Sequence, residues 1–264
     1  MTSRMPTVAY GNQTFILSRL IDIGHIERAI MNASTHVLDV RGDFACFSRP
    51  ELSVERWSYP CPTPSAARGI FEAIYFKPEF YWQVARIEML SQPAYIALRR
   101  NEVSQTGPTD RTVKSWAKGT VAVQPIHADA DSIRQQRQTM ALRNPHFRLH
   151  ARIVPRNRIG TKQKTFDEQF IRRVRHGKCF LQPFFGVKEF VAFYRYAESL
   201  SNEPVPVDYS QDLGHMLYDV FDLRTQNSSD AKPFISLFAA KIENGVLDVP
   251  PFESDLVLKP EGGE

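Results

Sequence analysis

The sequence predicts an α+β fold, because segments with the alternating pattern of strands are separated by two segments with helical periodicity. The 264 residues are 42% hydrophobic and 23% charged, close to globular averages, so the chain can bury a sizeable core. With 18 prolines against 13 glycines, we expect fixed loops rather than flexible linkers. The length fits one large domain or two small ones.

The first predicted elements are a strand over 36–41, a loop over 42–64 and a helix over 65–77. Pro64 and Ser65 are predicted to cap this helix, and the proline after Lys77 to stop it. Its apolar stripe repeats every 3.6 residues and consists of Ala66, Ala67, Ile70, Phe71 and Ile74. The segment FYWQVARIEML then alternates and is rich in aromatic and branched residues, which predicts the next strand.

Residues 101–134 are rich in turn formers and predict a long excursion with one short strand at 121–123. Two strands follow, at 138–142 and 147–154. Because a turn-like sequence at 143–145 separates them, we expect these two strands to pair with each other.

A second helix is predicted at 166–176, ending at Gly177. This order of elements indicates a ferredoxin-like split βαβ core, which RRM-type RNA binders use. The segment CFLQPFFGVKEFVAFY predicts a hairpin, and the tail, with an Asn-Gly turn, predicts a small antiparallel sheet. We therefore expect an extension at 1–33, a ferredoxin-like RNA-binding domain at 34–195 and a β-rich part at 196–264.

Positive charge is concentrated in one segment. The net charge is only +4, with an isoelectric point near 9.0, but eight Arg and three Lys stand against two acidic residues between Arg143 and Lys178. A concentrated positive field attracts polyanions, either nucleic acid or an acidic membrane surface. No window approaches 18 apolar residues and no lipidation motif is present, so we expect a nucleic-acid partner and no membrane.

Several other classes of function lack their sequence signals. The three cysteines have no CxxC spacing, which predicts neither disulfides nor zinc and fits a reducing cytoplasm. The chain has no GxGxxG, GxxxxGK[ST] or GxSxG motif, and its first residues do not resemble a signal peptide. Since the seven histidines are scattered, we expect no catalytic metal and no cofactor.

Aromatic and basic residues alternate over 39–78, a pattern typical of a surface that holds RNA. The predicted stacking faces for unstacked bases are Phe44, Phe47, Trp57 and Tyr59. The predicted phosphate contacts are Arg41, Arg49, Arg56 and Arg68, and the second helix adds Arg172, Arg173 and Arg175. The alternative is that the aromatic residues belong to the core and that the charges form a solvated face.

Cleavage of RNA without a metal needs only a 2′-OH that attacks the adjacent phosphate, together with proton transfer and positive charge. Tyr75 lies in the last turn of the first predicted helix beside Lys77, which places a phenol near a cation. The alternative is again a core residue. Lys164 lies just before the arginine-rich helix.

Ordered blocks of the sequence resemble the Cas-five protein of type I-C CRISPR systems. They include VRGDFACFSRPELSVERWSYPCPTPSAARGIFEAIYFKP, RRNEV, RQQRQTMALRNPHFRLHARI, FIRRVRHGKCFLQPFFGVKEF and DLGHMLYD. The resemblance implies a ferredoxin-like (RRM-like, RAMP superfamily) domain with a β-rich C-terminal part. It also implies metal-independent cleavage of repeat hairpins in precursor CRISPR RNA. The product would stay bound by its 5′ handle within Cascade, beside the large and backbone subunits.

In that family the catalytic tyrosine lies in an IYWKP-like motif, so IYFKP places it at Tyr75. A Lys-His pair usually precedes the arginine-rich helix, and here Lys164 can stand for the lysine while no histidine follows it. Proton transfer would then fall to Tyr75, or to His146, His150 or His176. Two hypotheses remain open: an endoribonuclease that stays in Cascade, and a non-catalytic subunit that binds the 5′ handle. The sequence also leaves open whether double-stranded DNA is bound.

Overall fold

The protein is mixed α/β with mostly antiparallel sheets. The computed structural model describes residues 34–52, 55–104, 107–123, 127, 134–156, 163–198, 204–225 and 233–260. The predicted extension at 1–33 lies outside these residues. None of the helices within them is long and apolar enough to cross a membrane.

Three helices and twelve strands are found in the described residues. The helices are α1 Pro64–Ile74, α2 Asp110–Ala117 and α3 Gln163–Arg175. The first six strands are β1 Thr35–Arg41, β2 Phe44–Ala45, β3 Arg56–Trp57, β4 Phe80–Met89, β5 Tyr95–Val103 and β6 Arg134–Arg143. The others are β7 His146–Pro155, β8 Phe193–Tyr196, β9 Gln211–Asp219, β10 Ser236–Glu243, β11 Val246–Asp248 and β12 Val257–Leu258.

The first sheet has the strand order β12-β10-β11-β4-β7-β1-β8, and β9 pairs with β10. The prediction that the tail forms a separate small sheet is therefore wrong. Asn244 and Gly245 both have positive φ, and the tight turn that they make returns the chain as β11. Because β11 pairs with β4 through Leu247 and Ile87, the C-terminal strands continue the first sheet.

The second sheet has the order β2-β6-β3, with β5 also paired to β6. The prediction that 138–142 pairs with 147–154 is wrong, because β6 belongs to this second sheet and β7 to the first. The turn between them is real, with Asn144 in the left-handed region at φ 49°. It redirects the chain from one sheet into the other instead of closing a hairpin.

Residues 101–134 contain more regular structure than predicted. Strand β5 was not predicted, although it pairs with β6 from Tyr95 opposite Leu142 to Val103 opposite Arg134. The predicted strand at 121–123 is wrong, and a helix, α2, lies shortly before it. The Thr109 side chain caps that helix by accepting a hydrogen bond from the Thr112 backbone N–H.

Helices α1 and α3 pack against one face of the first sheet. An aromatic cluster fills the interface: Trp82 of β4 lies 4.6 Å from Phe170 and 4.9 Å from Phe71 between ring centroids. His36 of β1 joins this cluster, and its Nε2 lies 2.7 Å from the Asp167 carboxylate of α3. The cluster fixes both helices on the sheet, since each buried aromatic side chain contributes about 2 kcal/mol of hydrophobic stabilisation.

Helix α1 is shorter than the predicted 65–77. Its N-cap is Thr63, whose Oγ1 accepts a hydrogen bond from the Ala66 N–H, rather than Pro64 and Ser65. The helix ends at Ile74 because Tyr75 already has extended backbone angles, φ −147° and ψ 111°. The Trp82 indole N–H donates to the Tyr75 carbonyl at 2.9 Å and holds this exit in place.

Helix α3 begins at Gln163, earlier than the predicted 166, and ends at Arg175, followed as predicted by a turn at Gly177 with φ 62°. The predicted hairpin after it reduces to one bridge between Phe184 and Val191. The turn between them requires glycine at Gly186, because a Cβ there would lie 1.9 Å from the Cys46 carbonyl oxygen.

Candidate functional site

The side chain of Tyr75 joins the end of α1 to the middle of α3. Its hydroxyl donates a hydrogen bond to Gln169 Oε1 at 3.0 Å, and its ring packs 5.5 Å from Phe80. The Arg173 guanidinium lies 6.0 Å from the centroid of the same ring. Only 2% of Tyr75 is exposed, so the phenol is buried and does not project from the surface.

The phenol remains protonated at neutral pH. Burial raises the pKa of Tyr75 above its usual value, the Glu79 carboxylate adds to the increase, and Arg173 opposes it. A protonated phenol donates hydrogen bonds or a proton and does not act as a base.

Arg173 links Tyr75 to a basic depression. Its Nε donates to the Ile74 carbonyl at 2.7 Å, which satisfies the C-terminal end of α1 and places a cation at the negative end of the helix dipole. Arg173 also lines a depression of about 420 Å³ with Arg172, His176 and Lys178. A depression walled by the three cations Arg172, Arg173 and Lys178 attracts phosphate.

Exposed apolar side chains stand beside this depression. Phe180 is 72% exposed and Leu181 is 61% exposed, and the backbone N–H groups of both donate to the Ala73 carbonyl near the end of α1. Phe76 is also exposed, directly after Tyr75. Flat and apolar surface next to cations is the combination on which unstacked bases bind.

The second predicted catalytic residue, Lys164, is not brought to Tyr75. Its side chain is 88% exposed in the first turn of α3, and its Nζ lies 3.9 Å from Glu168 Oε1. Gln169, which contacts Tyr75, is five residues later and therefore about 140° further around the helix. Lys164 consequently lies on the solvent side of α3.

Of the three alternative histidines, only His176 lies at the depression. Phe80, which packs on Tyr75, is opposite Pro155 at the far end of β7, whereas His146 begins that strand. The two ends of this ten-residue strand are about 30 Å apart. His150 lies inside β7, where its Nε2 is 3.0 Å from Glu88.

A second exposed cluster lies where the aromatic and basic loop meets the second sheet. Trp57 is 45% exposed and lies 6.2 Å from Tyr95 between ring centroids. Together with Arg49 and Tyr209 they line a depression of about 360 Å³. Tyr95 and Tyr209 were not predicted as RNA contacts, because both lie far from the loop in sequence and neither belongs to a motif.

Three of the predicted RNA contacts are structural instead. Phe47 and Tyr59 are each 2% exposed, and Phe47 packs edge to face on Phe147 and Phe185. Arg68 binds Asp219 with two hydrogen bonds of 2.7 and 3.0 Å. Its guanidinium therefore has a carboxylate where a phosphate was predicted. The prediction that these three side chains are open to RNA is wrong, because two are buried and the third is held by Asp219.

The remaining predicted RNA contacts differ in their exposure and in whether their side chains already have a partner. Among the described residues, Arg41 and Arg172 are exposed and have no side-chain partner. Arg175 pairs with Glu198 at 2.9 Å, and Arg56 lies 3.9 Å from Glu102. Phe44 is half-buried against Phe190.

Comparison with known proteins gives the family. The family model Cas_Cas5d, described as CRISPR-associated protein (Cas_Cas5), matches residues 35–250. The chain belongs to the Cas5d family. This Cas5d chain is 36% identical to a CRISPR pre-crRNA endoribonuclease Cas5d of Mannheimia succiniciproducens, with 84% of this chain and 97% of that protein covered. A protein of the same name from Thermus thermophilus is 34% identical, with 80% and 89% covered.

A solved structure of a CRISPR-associated protein has a similar fold. Its TM-score to this Cas5d chain is 0.57 at 19% sequence identity, with 86% of this chain and 97% of that chain covered. At this level of identity the likeness concerns the fold alone.

Proposed function

We propose that this Cas5d protein cleaves repeat hairpins in precursor CRISPR RNA without a metal and then keeps the 5′ handle as a subunit of a type I-C Cascade. The observation that carries the proposal is the contact of Tyr75 with Gln169 and Arg173 beside a basic depression. The two relatives from Mannheimia succiniciproducens and Thermus thermophilus, both named CRISPR pre-crRNA endoribonuclease Cas5d, support the same substrate.

The proposed reaction is an attack of the ribose 2′-OH on the adjacent phosphorus. The new O–P bond forms as the bond to the 5′-oxygen breaks, which leaves a 2′,3′-cyclic phosphate and a 5′-OH. The 2′-OH loses a proton and the leaving oxygen gains one. Tyr75, which is protonated, is the donor to the leaving oxygen, and the imidazole of His176 is the candidate acceptor.

The cations supply charge for the phosphorane. Arg173 is fixed by the Ile74 carbonyl, so its guanidinium is oriented before RNA binds. Arg172 and Lys178 line the same depression and add positive potential. Lys164 is on the solvent side of α3, and we assign it to the RNA backbone outside the reacting phosphate.

Handle binding is assigned to the cluster of Trp57, Tyr95 and Arg49. Each base stacked on an exposed ring contributes about 1 to 3 kcal/mol. Arg56, next to Trp57 in the chain, extends this surface along the backbone of the RNA.

We also infer a ferredoxin-like, RAMP-type core. The order β4-β7-β1-β8, with antiparallel neighbours and with α1 and α3 on one face, supports this assignment. Apart from the last residue of β8, the core falls within the proposed domain at 34–195, and 196–264 is the proposed C-terminal part. The large and backbone subunits of Cascade are the proposed partners, in the cytoplasm.

A non-catalytic handle-binding subunit is the second candidate. It is favoured by the 2% exposure of Tyr75 and by the position of Lys164 on another side of α3. In this candidate Tyr75 only packs α1 against α3.

The deciding experiment incubates the full chain with a repeat hairpin in EDTA. One substrate is all RNA, and the matched substrate carries a single 2′-deoxy sugar at the scissile position. Cleavage of the first alone, with a 2′,3′-cyclic phosphate end, supports the nuclease. Equal cleavage of both excludes 2′-OH attack, and tight binding without cleavage of either supports the second candidate.

A further inference from the structure

Three side chains form a row across the end of the first sheet, on the face opposite α1 and α3. Arg41 of β1 is paired with His146 of β7 on one side and with Phe193 of β8 on the other. Residues directly opposite each other in antiparallel strands share a face, with Cβ atoms about 5 Å apart. The row therefore presents an imidazole, a guanidinium and an aromatic ring side by side.

The row borders an open cavity of about 530 Å³, which is within the usual size range of ligand sites. Two turns complete its wall. The Gly42 N–H donates to the Pro145 carbonyl at 3.2 Å, and the Asn144 N–H donates to the Asp43 carbonyl at 2.8 Å. Because these bonds tie the turns together, the cavity is formed before any ligand binds.

A buried carboxylate holds the imidazole. Asp39 Oδ1 lies 2.9 Å from His146 Nε2, and Oδ2 accepts a hydrogen bond from Arg195 at 2.9 Å. Burial opposes the charge of Asp39, but the hydrogen bond from His146 and the charges of His146, Arg195 and Arg148 outweigh it and lower the pKa. An ionised Asp39 only accepts, so Nε2 carries the proton.

This arrangement leaves two open polar groups in the row. In the neutral ring, Nδ1 of His146 is a hydrogen-bond acceptor. This Nδ1 has no hydrogen-bond partner among the described residues. It is also not buried, so a ligand can reach it. The Arg41 guanidinium is exposed and likewise lacks a side-chain partner within the described part of the chain.

A ribonucleotide matches these groups. Its phosphate pairs with Arg41, and its ribose 2′-OH donates to His146 Nδ1. Phe193, which is 57% exposed, offers a face to the base. Asp43 at the rim repels a second phosphate, which favours one nucleotide of a single strand over a duplex backbone.

We propose that Arg41, His146 and Phe193 form a ribonucleotide-binding site in which His146 Nδ1 distinguishes RNA from DNA. The site lies at the opposite end of β7 from Tyr75, about 30 Å away. It is therefore separate from the proposed cleavage site and does not require that the protein cleave RNA.

The test measures fluorescence anisotropy of the full chain with labelled oligouridine of about eight nucleotides and with its 2′-deoxy equivalent. His146→Gln keeps an N–H for Asp39 and replaces the ring acceptor Nδ1 with an amide oxygen on a flexible side chain, at a different position. We expect it to weaken RNA binding about fivefold and to leave DNA binding unchanged. Arg41→Gln is expected to weaken both about tenfold, because both carry phosphate. Arg111→Gln, an exposed arginine of α2, is the charge-matched control.

Photocrosslinking locates the site. RNA with 4-thiouridine should label the tryptic peptide 189–195, which contains Phe193, and Phe193→Ala should abolish this label while the thermal midpoint stays within about 2 °C of wild type. Unchanged RNA affinity in both His146→Gln and Arg41→Gln, or no label on this peptide, overturns the proposal. If the protein does not cleave the repeat hairpin but the expected binding and crosslinking results are obtained, only the proposed nuclease activity is contradicted.

Discussion

The phenol of Tyr75 donates a 3.0 Å hydrogen bond to Gln169, and this contact connects the end of α1 to the middle of α3. The bond orients the hydroxyl of a ring that is otherwise enclosed by Phe80 and Arg173. Any catalytic role of Tyr75 therefore depends on α3 as much as on its own segment.

Replacing Gln169 should separate the orientation of the Tyr75 phenol from the binding of RNA. We expect Gln169→Ala to lower the single-turnover cleavage rate about tenfold, because the phenol loses its acceptor and rotates. The affinity for the repeat hairpin should stay within about twofold, and unfolding in urea should become easier by about 1 kcal/mol. A rate equal to wild type would show that the hydrogen bond only supports packing.

Arg68 should affect stability and not RNA affinity. Its side chain is 11% exposed and the Asp219 side chain is 1% exposed, so Arg68→Gln leaves a buried carboxylate without its main partner. We expect unfolding in urea to become easier by about 3 kcal/mol. The folded variant should bind RNA as the wild type does. A clear loss of RNA affinity in a fully folded variant would instead support the phosphate contact that was predicted from the sequence.

Two aromatic residues of the same loop should behave in opposite ways. Trp57→Ala is expected to weaken RNA binding about tenfold with little change in stability, since the ring is 45% exposed. Phe47→Ala should cost about 3 to 5 kcal/mol of stability, because its ring is in the core. Anisotropy and urea unfolding of both variants check this contrast, and the opposite assignment of effects would contradict it.

The buried Glu88 should contribute to acid sensitivity. Burial opposes its ionisation, but hydrogen bonds and charges from His150 and Arg148 lower the pKa of Glu88 below its ordinary value. Stability from such a lowered pKa is present above the unfolded pKa of about 4.3 and is lost as the pH falls through the folded pKa. Urea unfolding at neutral pH and near pH 3 should therefore show a smaller acid loss for Glu88→Gln than for wild type. Equal losses would contradict this role.

Elements with a regular apolar face were predicted correctly from the sequence. The predictions failed where the result depends on which distant segments of the chain pair or pack together. The apolar stripe of α1 and the turn at Gly177 are local signals, and the structure has both. Asn144 is also a local turn signal, but no local feature of the sequence indicates that β6 and β7, on either side of this turn, belong to different sheets. Likewise Phe47 and Trp57 are both aromatic residues in one loop, and only the packing of Phe147 and Phe185 makes the first a core residue.

The candidate site shows the same division. The tyrosine was found because its motif is contiguous in sequence. Gln169, Arg173 and His176 meet it only through the packing of α3 against α1, and Lys164 fails to meet it because it lies on another side of that helix. A spacing along the chain does not specify which face of a helix turns toward a partner.

The most direct test of the account is the cleavage rate of Tyr75→Phe on an all-RNA repeat hairpin in EDTA, measured in single turnover beside its affinity. Phe keeps the ring packing and removes only the proton donor. Tyr196→Phe is the matched control, because it removes a phenol hydroxyl that has no hydrogen bond among the described residues. We predict a rate about 100-fold below wild type with unchanged affinity for Tyr75→Phe, and wild-type behaviour for the control. Wild-type cleavage by Tyr75→Phe would contradict the central claim.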